Sequence, residues 1–217
     1  MTRAIGSQPV LFTGLSLSPK DARSALPAEI RQPVRAGDLD QLGNESIVAI
    51  IDGVLEPGSI LSICEIRRAL KRGIKILGAA SLGALRAHEA HADGMEGLGW
   101  VYQAYRSGRI AGMEEIGVIF DPLSYRPLTI PLVNVRFCLE EFLKRGAISD
   151  HEVQRAMRAL KAQAMEERNG RAVWMRLAEN IGRERLREAL GAAAGKKSNI
   201  KRLDALQLLE RMATTPT

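Results

Sequence analysis

The chain has 217 residues, of which 46% are hydrophobic and 26% are charged, as is usual for a folded globular protein. This composition excludes a wholly disordered chain, and no apolar run is long enough to span a membrane, so we expect a cytoplasmic protein. The two cysteines are too few for a disulfide framework. The net charge of +6 is concentrated in residues 144–217, where 16 Lys and Arg outnumber 9 Asp and Glu.

Strands and helices alternate in the first part of the chain. The predicted elements, in chain order, are a strand at residues 9–13, a short helix opened by Ser18 and Pro19, a loop at 27–44, a strand at 46–51, a helix at 62–72, a strand that ends before Ser81, a helix after Ser81, a helix at 96–107 and a strand at 116–120. This alternation predicts an α/β fold, with a parallel sheet flanked by helices.

The pattern is helical throughout beyond Pro131. The first helix starts near Leu132, breaks at Gly146 and restarts at Ser149, with Glu152 placed to complete a capping box. Further helices are predicted at 170–180, 183–191 and 199–212, and a stretch of small residues containing Lys196 and Lys197 precedes the last of them. We therefore predict an α/β core at 1–131 and a helical, basic C-terminal region at 132–217 packed on that core.

Small or polar residues follow three of the predicted strands. Gly14, Asp52 and Ser81 each stand directly after a strand. Because the carboxyl ends of parallel strands meet at one edge of a sheet, and binding sites gather there, we expect these residues to share a site.

Ser81 is the first candidate for chemistry. The turn from strand to helix around it is similar to a nucleophile elbow, with Gly83 at the second glycine position and Ala79 where the first glycine would stand. The alternative interpretation is a helix-capping serine that satisfies free backbone N–H groups.

The spacing of other polar residues predicts neither a metal site nor a cofactor. His88 and His91 are three residues apart, whereas the zinc-protease motif places its histidines four apart. The glycines form neither a dinucleotide fingerprint nor a phosphate loop. The basic third has Trp174 as its one aromatic residue and interleaves Arg with Glu, which favours an acidic protein surface over nucleic acid as a partner.

Several sequence blocks together are specific enough to indicate a family. They are LFTGLSL at 11–17, AIIDGVL at 49–55, GAASLGALRA at 78–87, GMEGLG at 94–99, YRSG at 105–108, YRPL at 125–128 and LVNVR at 132–136. On these blocks the chain resembles the TfuA family, the partner proteins of YcaO enzymes in peptide backbone thioamidation.

The resemblance implies a sulfur-delivery role. The expected partners are a YcaO-type, ATP-dependent, cyclodehydratase-like enzyme, a ThiS-like sulfur carrier with a C-terminal thiocarboxylate, and a ribosomally made peptide substrate. The family is thought to hydrolyse the thiocarboxylate with a serine and a lysine, and Ser81 falls on the family serine. A non-catalytic adaptor that binds the YcaO enzyme, the carrier and the peptide is the alternative.

The family lysine is missing from this sequence. Family members commonly carry His-Lys-Glu-Ile in the helix after the Asp-Gly turn, and residues 63–66 read ICEI here, so Cys64 stands in place of the lysine. Cys64 is either an inert residue on a buried helix face, or a sulfur acceptor or nucleophile beside Glu65. A third possibility is another amine as the base, with Lys71 and Lys75 closest in sequence.

The remaining positions carried over from the family are expected to bind substrate or partner. They are Gly14, Ser16, Asp52, Gly53, Arg86, Glu89, Asn134 and Arg136. The alternative for Arg86 is an ion pair with Glu89 or Asp52, and the alternative for Asn134 is a cap at the start of a helix. The family's acidic run after Gly108 is also reduced here, to Glu114 and Glu115.

Overall fold

The computed structural model describes residues 8–43, 47–121, 126–192 and 199–214. The strands are β1 (Val10–Phe12), β2 (Glu29–Arg31), β3 (Ile47–Ile50), β4 (Lys75–Ala79) and β5 (Glu96–Leu98). The helices are α1 (Pro19–Ala25), α2 (Ile63–Lys71), α3 (Leu82–Glu89), α4 (Gly99–Arg106), α5 (Leu132–Lys144), α6 (Asp150–Lys161), α7 (Gly170–Ile181), α8 (Arg183–Ala192) and α9 (Ile200–Ala213). Four residues used in the sequence predictions, Ser46, Tyr125, Lys196 and Lys197, lie outside the described residues.

The five strands form one parallel sheet in the order β2-β1-β3-β4-β5. In the register of the central strands, Phe12 is opposite Ile50 and Ile50 is opposite Gly78. The strands β1, β3 and β4 are buried almost along their whole length, as expected for a parallel sheet covered on both faces. The predicted α/β fold with a helical C-terminal region is confirmed.

At the margins of the sheet, two predicted elements are wrong, and one short strand lies in a segment predicted to be mostly loop. The expected loop at 27–44 contains the edge strand β2, and the expected helix at 96–107 is split into β5 and α4 at Gly99, whose φ of 89° is left-handed and unfavourable inside a helix. The expected strand at 116–120 makes only an isolated antiparallel bridge, between Phe120 and Pro127. The two edge strands of the sheet are therefore β2 and β5.

Contacts divide the chain into two units. The first, here called the sheet unit, comprises Met1–Met113 and Lys201–Thr217, and the second, the helical unit, comprises Glu114–Ile200. The division differs from the predicted one at residue 131, because α9 belongs with the sheet. Ala205, Leu208 and Met212 of α9 are buried in the same cluster as residues of β1, β3 and β4.

The helical unit has its own core. Leu139 and Phe142 of α5, Met157 and Leu160 of α6 and Val173 of α7 belong to one buried cluster. The predicted capping box at the start of α6 is confirmed. The Ser149 hydroxyl accepts the Glu152 N–H, and the Glu152 carboxylate accepts the Ser149 N–H. Within the described ranges, no helix is long and apolar enough to cross a membrane.

Candidate functional site

The carboxyl edge of the sheet brings together the residues that follow β1, β3 and β4. Asp52, which follows β3 and is 5% exposed, organises the loop after β1. One carboxylate oxygen accepts the N–H groups of Gly14 and Ser16 at 2.9 Å each, and the other accepts the Ser16 hydroxyl at 2.5 Å. The predicted convergence of the strand ends at one edge is therefore confirmed for Gly14 and Asp52.

Two glycines at this edge are required by packing. A Cβ on Gly14 would lie 2.6 Å from Pro33 Cγ, and a Cβ on Gly53 would lie 2.2 Å from Leu82 Cδ2. These glycines let the loops approach one another closely. Their predicted role in binding stays a prediction.

Ser81 lies in a tight turn between β4 and α3, as the sequence predicts. Ala80 has a φ of 67°, the only positive φ among the non-glycine residues that the structure describes. The Ser81 N–H donates to the Ala79 carbonyl at 2.8 Å, which closes the turn. Left-handed backbone at a non-glycine residue costs free energy and often marks a functional turn. In this turn the strained residue precedes the serine.

The alternative reading of Ser81 as a capping residue is wrong. Ser81 stands at the N-cap position of α3, but its side chain makes no capping hydrogen bond. Its backbone carbonyl accepts the N–H groups of Ala84 and Leu85, so the backbone supports the first turn of α3 while the hydroxyl does not. Ser81 is 5% exposed.

Gly83 fixes the approach of α3 to the sheet. A Cβ at this position would lie 1.8 Å from the Ile50 carbonyl oxygen, a contact that no side chain tolerates. The Gly83 N–H donates to the Ile51 carbonyl, and a Cβ on Gly78 would lie 2.2 Å from the Gly83 carbonyl oxygen. The small residues around Ser81 therefore place the serine against the ends of β3 and β4.

Sequence reasoning missed Lys201, the second residue of α9. Lys201 is 4% exposed and interacts electrostatically with Asp52. Burial lowers the pKa of the Lys201 ammonium, because desolvation penalises its charged form, and the negative charge of Asp52 opposes that shift. Lys201 lies more than a hundred residues from Asp52 in sequence, so no local pattern could have shown that the two lie close together.

Asp204 holds the start of α9 at the same edge. Its carboxylate accepts the N–H of Trp100 at 2.9 Å and the N–H of Val101 at 2.8 Å, and so caps α4 from another helix. Burial raises the pKa of Asp204 to about 6, although the backbone hydrogen bonds oppose that shift. Gly99 is required here, since a Cβ on it would lie 2.3 Å from Asp204 Cγ.

Cys64 and Glu65 share the first turn of α2 and have different surroundings. Cys64 is exposed, so its predicted position on a buried helix face is wrong, while its chemical inertness stays a prediction. Glu65 is 2% exposed, and its carboxylate accepts the N–H groups of Gly37 at 3.0 Å and Leu39 at 2.8 Å. Glu65 therefore anchors a loop, and sulfur chemistry at Cys64 stays a prediction.

Arg86 and Glu89 lie one turn apart on α3. Arg86 Nε donates to the Leu61 carbonyl at 2.7 Å, and its guanidinium pairs with the Glu89 carboxylate. The ion-pair alternative with Glu89 is thus confirmed. The guanidinium joins α3 to the segment before α2, and partner binding by these two residues stays a prediction.

A protein-family model described as TfuA-like protein matches residues 52–169, just over half of the chain. The chain belongs to the TfuA-like family. Membership associates this TfuA-like protein with YcaO-dependent thioamidation. The match includes Asp52, Cys64 and Ser81, and it leaves Gly14 and Lys201 outside the matched segment. No curated protein matches the chain.

Arg136 and Asn134, two further residues carried over from the family resemblance, lie in the helical unit, and Arg136 belongs to a buried charge cluster. Arg136 is buried and donates to both oxygens of Glu115 at 2.7 Å, and Lys161 Nζ lies 2.7 Å from the same carboxylate. Burial alone would raise the pKa of Glu115, but the hydrogen bonds from Arg136 and Lys161 outweigh it and hold that pKa below its ordinary value. This cluster gives Arg136 a structural role.

Asn134 is not the cap of a helix, and that prediction is wrong. The helix α5 starts after Pro131, and the Asn134 side chain donates to Asn199 Oδ1 at 3.3 Å. Asn134 lines a mainly apolar cavity of about 320 Å³ together with Cys138 and Trp174. Binding of substrate or partner by Asn134 and Arg136 stays a prediction.

Two of the three histidines of this TfuA-like protein, His88 and His91, have aromatic neighbours. The His88 ring stacks on Tyr105 at 5.8 Å between centroids, and His91 Nδ1 lies 3.1 Å from the Tyr102 hydroxyl. Among the described residues, no group of three or more His, Cys, Asp and Glu side chains could hold a metal ion.

Proposed function

We propose that this TfuA-like protein delivers sulfur to a YcaO enzyme by hydrolysing the C-terminal thiocarboxylate of a ThiS-like carrier protein at Ser81. Family membership supports the pathway. The observation that supports hydrolysis is the strained turn at the carboxyl edge of the sheet, which holds Ser81 with its hydroxyl outside the capping role.

The first half of the reaction forms an ester. Ser81 Oγ bonds to the thiocarboxylate carbon of the carrier while a base takes the hydroxyl proton. The C–S bond then breaks, and hydrosulfide leaves with the electron pair of that bond. The carrier remains attached to Ser81 through its C-terminal acyl group. The amino end of α3, directly after Ser81, carries partial positive charge that favours the oxyanion formed during the attack.

The second half restores the serine. Water attacks the ester carbon, the bond between that carbon and Ser81 Oγ breaks, and Oγ regains a proton. The sum is thiocarboxylate plus water giving carboxylate plus hydrogen sulfide. No atom changes oxidation state, so no redox cofactor is needed. The YcaO enzyme then uses the sulfide to replace the oxygen of an activated peptide amide.

The test measures sulfide release from purified thiocarboxylated carrier, with carrier mass followed by mass spectrometry. Native protein is expected to convert thiocarboxylate to carboxylate, and Ser81→Ala is expected to lower that rate by at least a hundredfold. Ser24→Ala is the matched control, because Ser24 is an exposed serine of α1 in the same unit. Undiminished release by Ser81→Ala would overturn the proposal.

Two observations favour the adaptor as the second candidate. Cys64 replaces the family lysine, and Ser81 is 5% exposed, so a carrier tail has little direct access to it. An adaptor would support thioamidation in a mixture of YcaO enzyme, carrier and peptide while releasing no sulfide from the carrier alone. Ser81→Ala would then leave thioamide formation intact, which distinguishes the adaptor from the hydrolase.

A further inference from the structure

A serine nucleophile needs a base, and the family position for a lysine holds Cys64, which carries no amine. The two lysines closest in sequence are poorly placed for this role. Lys71 is exposed at the end of α2, and Lys75 begins β4, whereas Ser81 follows the end of that strand. Lys75 Nζ also pairs with Glu96 at the start of β5.

We propose that Lys201, brought by α9 from the far end of the chain, is the general base that takes the proton of Ser81. This inference rests on the proposed function and names the base for the same site. It assigns a role to a residue outside the segment that the family model matches.

The path of α9 brings Lys201 to the strand ends. Near its end, Arg211 pairs with Glu96, which begins β5, while Asp204 binds the N–H groups after β5. The helix therefore runs from the carboxyl edge of the sheet towards the amino edge. Lys201 lies one turn before Asp204, at the carboxyl edge.

The packing of α9 also places Lys201 near the ends of β3 and β4. Ala205, one turn after Lys201 and on the same side of α9, is buried in the cluster that contains Ala79 and Ala80. Lys201 itself interacts electrostatically with Asp52, which follows β3. Because β3 pairs with β4, and Ser81 follows β4, these contacts place the amine at the strand ends where the serine lies.

The surroundings of Lys201 suit a base. Burial favours the neutral amine, which is the form that accepts a proton. The carboxylate of Asp52, the negative charge that opposes this shift, also accepts hydrogen bonds from Gly14 and Ser16. Among the described residues, the charged groups near the start of α9 include Asp204, which binds backbone N–H groups, and Arg202, which pairs with Asp21 at 2.7 Å.

Protons balance through the cycle. Lys201 Nζ takes the Ser81 proton during attack on the thiocarboxylate and gives it to the departing sulfur. During hydrolysis Nζ takes a proton from water and returns it to Ser81 Oγ when the ester bond breaks. The amine therefore ends each turnover neutral, as it began.

The test uses a fluorophosphonate probe that reacts with activated serines, with labelling of Ser81 followed by mass spectrometry. Native protein is expected to be labelled at Ser81 at a rate that rises with pH and levels off below the ordinary lysine pKa of 10.5. Lys201→Met is expected to slow labelling by about 10² to 10⁴-fold and to remove that pH dependence. Lys71→Met is the matched control and is expected to label at the native rate.

Equal labelling of native protein and Lys201→Met would overturn the proposal, and so would the absence of labelling at Ser81 in the native protein. If Lys201→Met fails to fold, the pH profile of native labelling still tests the proposal. A labelling rate that keeps rising up to pH 10.5 would show that the base is not an amine with a lowered pKa. If labelling depends on Lys201 but the protein releases no sulfide from the carrier, Lys201 is the base for Ser81 and the proposed function is refuted.

Discussion

Each unit contains a buried carboxylate, and the two differ in the groups that form hydrogen bonds and ion pairs with them. In the helical unit, Glu115 binds two cations, Arg136 and Lys161, at 2.7 Å. In the sheet unit, Asp52 binds backbone N–H groups and a hydroxyl, and the cation near it, Lys201, is buried. The first arrangement holds its charges in close pairs, while in the second, burial lowers the pKa of the Lys201 ammonium. On our proposal, burial of charge serves stability in the helical unit and chemistry in the sheet unit.

The largest effect is expected at Gly83, where backbone contact shapes the turn of the sheet unit. Gly83→Ala places a Cβ 1.8 Å from the Ile50 carbonyl oxygen, so we expect a loss of more than about 4 kcal/mol in the free energy of unfolding, measured with urea. The control is Gly191→Ala in α8, where no described atom outside the neighbouring residues and the backbone of that helix lies within 4 Å of the new Cβ. A similar effect of both substitutions would contradict the close approach of α3 to β3.

Removing the carboxylate of the helical unit is expected to be nearly as costly. Glu115→Gln leaves the buried Arg136 without its counter-charge, which typically costs about 3 to 5 kcal/mol of unfolding free energy. Glu166→Gln, at an exposed glutamate of the same unit, should change stability by less than about 0.5 kcal/mol. A loss at Glu115 no larger than the loss at Glu166 would show that the charge cluster is not a source of stability.

Asp204 should make the stability of the sheet unit fall as pH rises. Its pKa is about 6 in the folded chain and 3.8 ordinarily, so the folded state binds the proton more tightly. The stabilisation is complete below pH 3.8 and is lost as pH approaches 6. The unfolding free energy of native protein relative to Asp204→Asn should drop by about 3 kcal/mol across this range. A difference that does not change with pH would refute the raised pKa.

Replacing the sheet-edge carboxylate should cost less than replacing Glu115. In Asp52→Asn, the amide oxygen can still accept the N–H groups of Gly14 and Ser16. The amide NH₂ that replaces the second oxygen cannot accept the Ser16 hydroxyl, which must turn to accept from it instead. We expect a loss of about 1 to 2 kcal/mol in urea unfolding. A loss as large as that of Glu115→Gln would mean that Asp52 acts mainly as the counter-ion of Lys201, against the contrast drawn between the two units.

The parts of the fold that sequence predicted best have strong local signals. The strands β3 and β4 are continuous apolar runs, and α1, α2 and α6 begin at serines that accept capping bonds. The edge strands β2 and β5 have three residues each, as β1 does, but they read EIR and EGL and lack the continuous apolar run that makes β1 recognisable. Their conformation is set by pairing with neighbouring strands.

The candidate site was predictable only where its residues follow strands. Gly14, Asp52 and Ser81 share an edge because the sheet is parallel, which the alternation of elements predicts. Lys201 reaches that edge through the packing of α9, a contact between opposite ends of the chain. The exposure of Cys64 and the anchoring role of Glu65 depend on which face of α2 is covered, and the pattern around the ICEI tetrad did not reveal it.

The most direct test of the central claim is to isolate the covalent intermediate on Ser81. Protein is mixed with thiocarboxylated carrier, quenched in acid within a turnover and analysed by intact and peptide mass spectrometry. The account predicts an adduct whose mass equals that of the protein plus the carrier minus hydrogen sulfide. This adduct is joined through Ser81 and is absent from Ser81→Ala. An adduct joined through Cys64, or sulfide release from Ser81→Ala at the native rate, would contradict it.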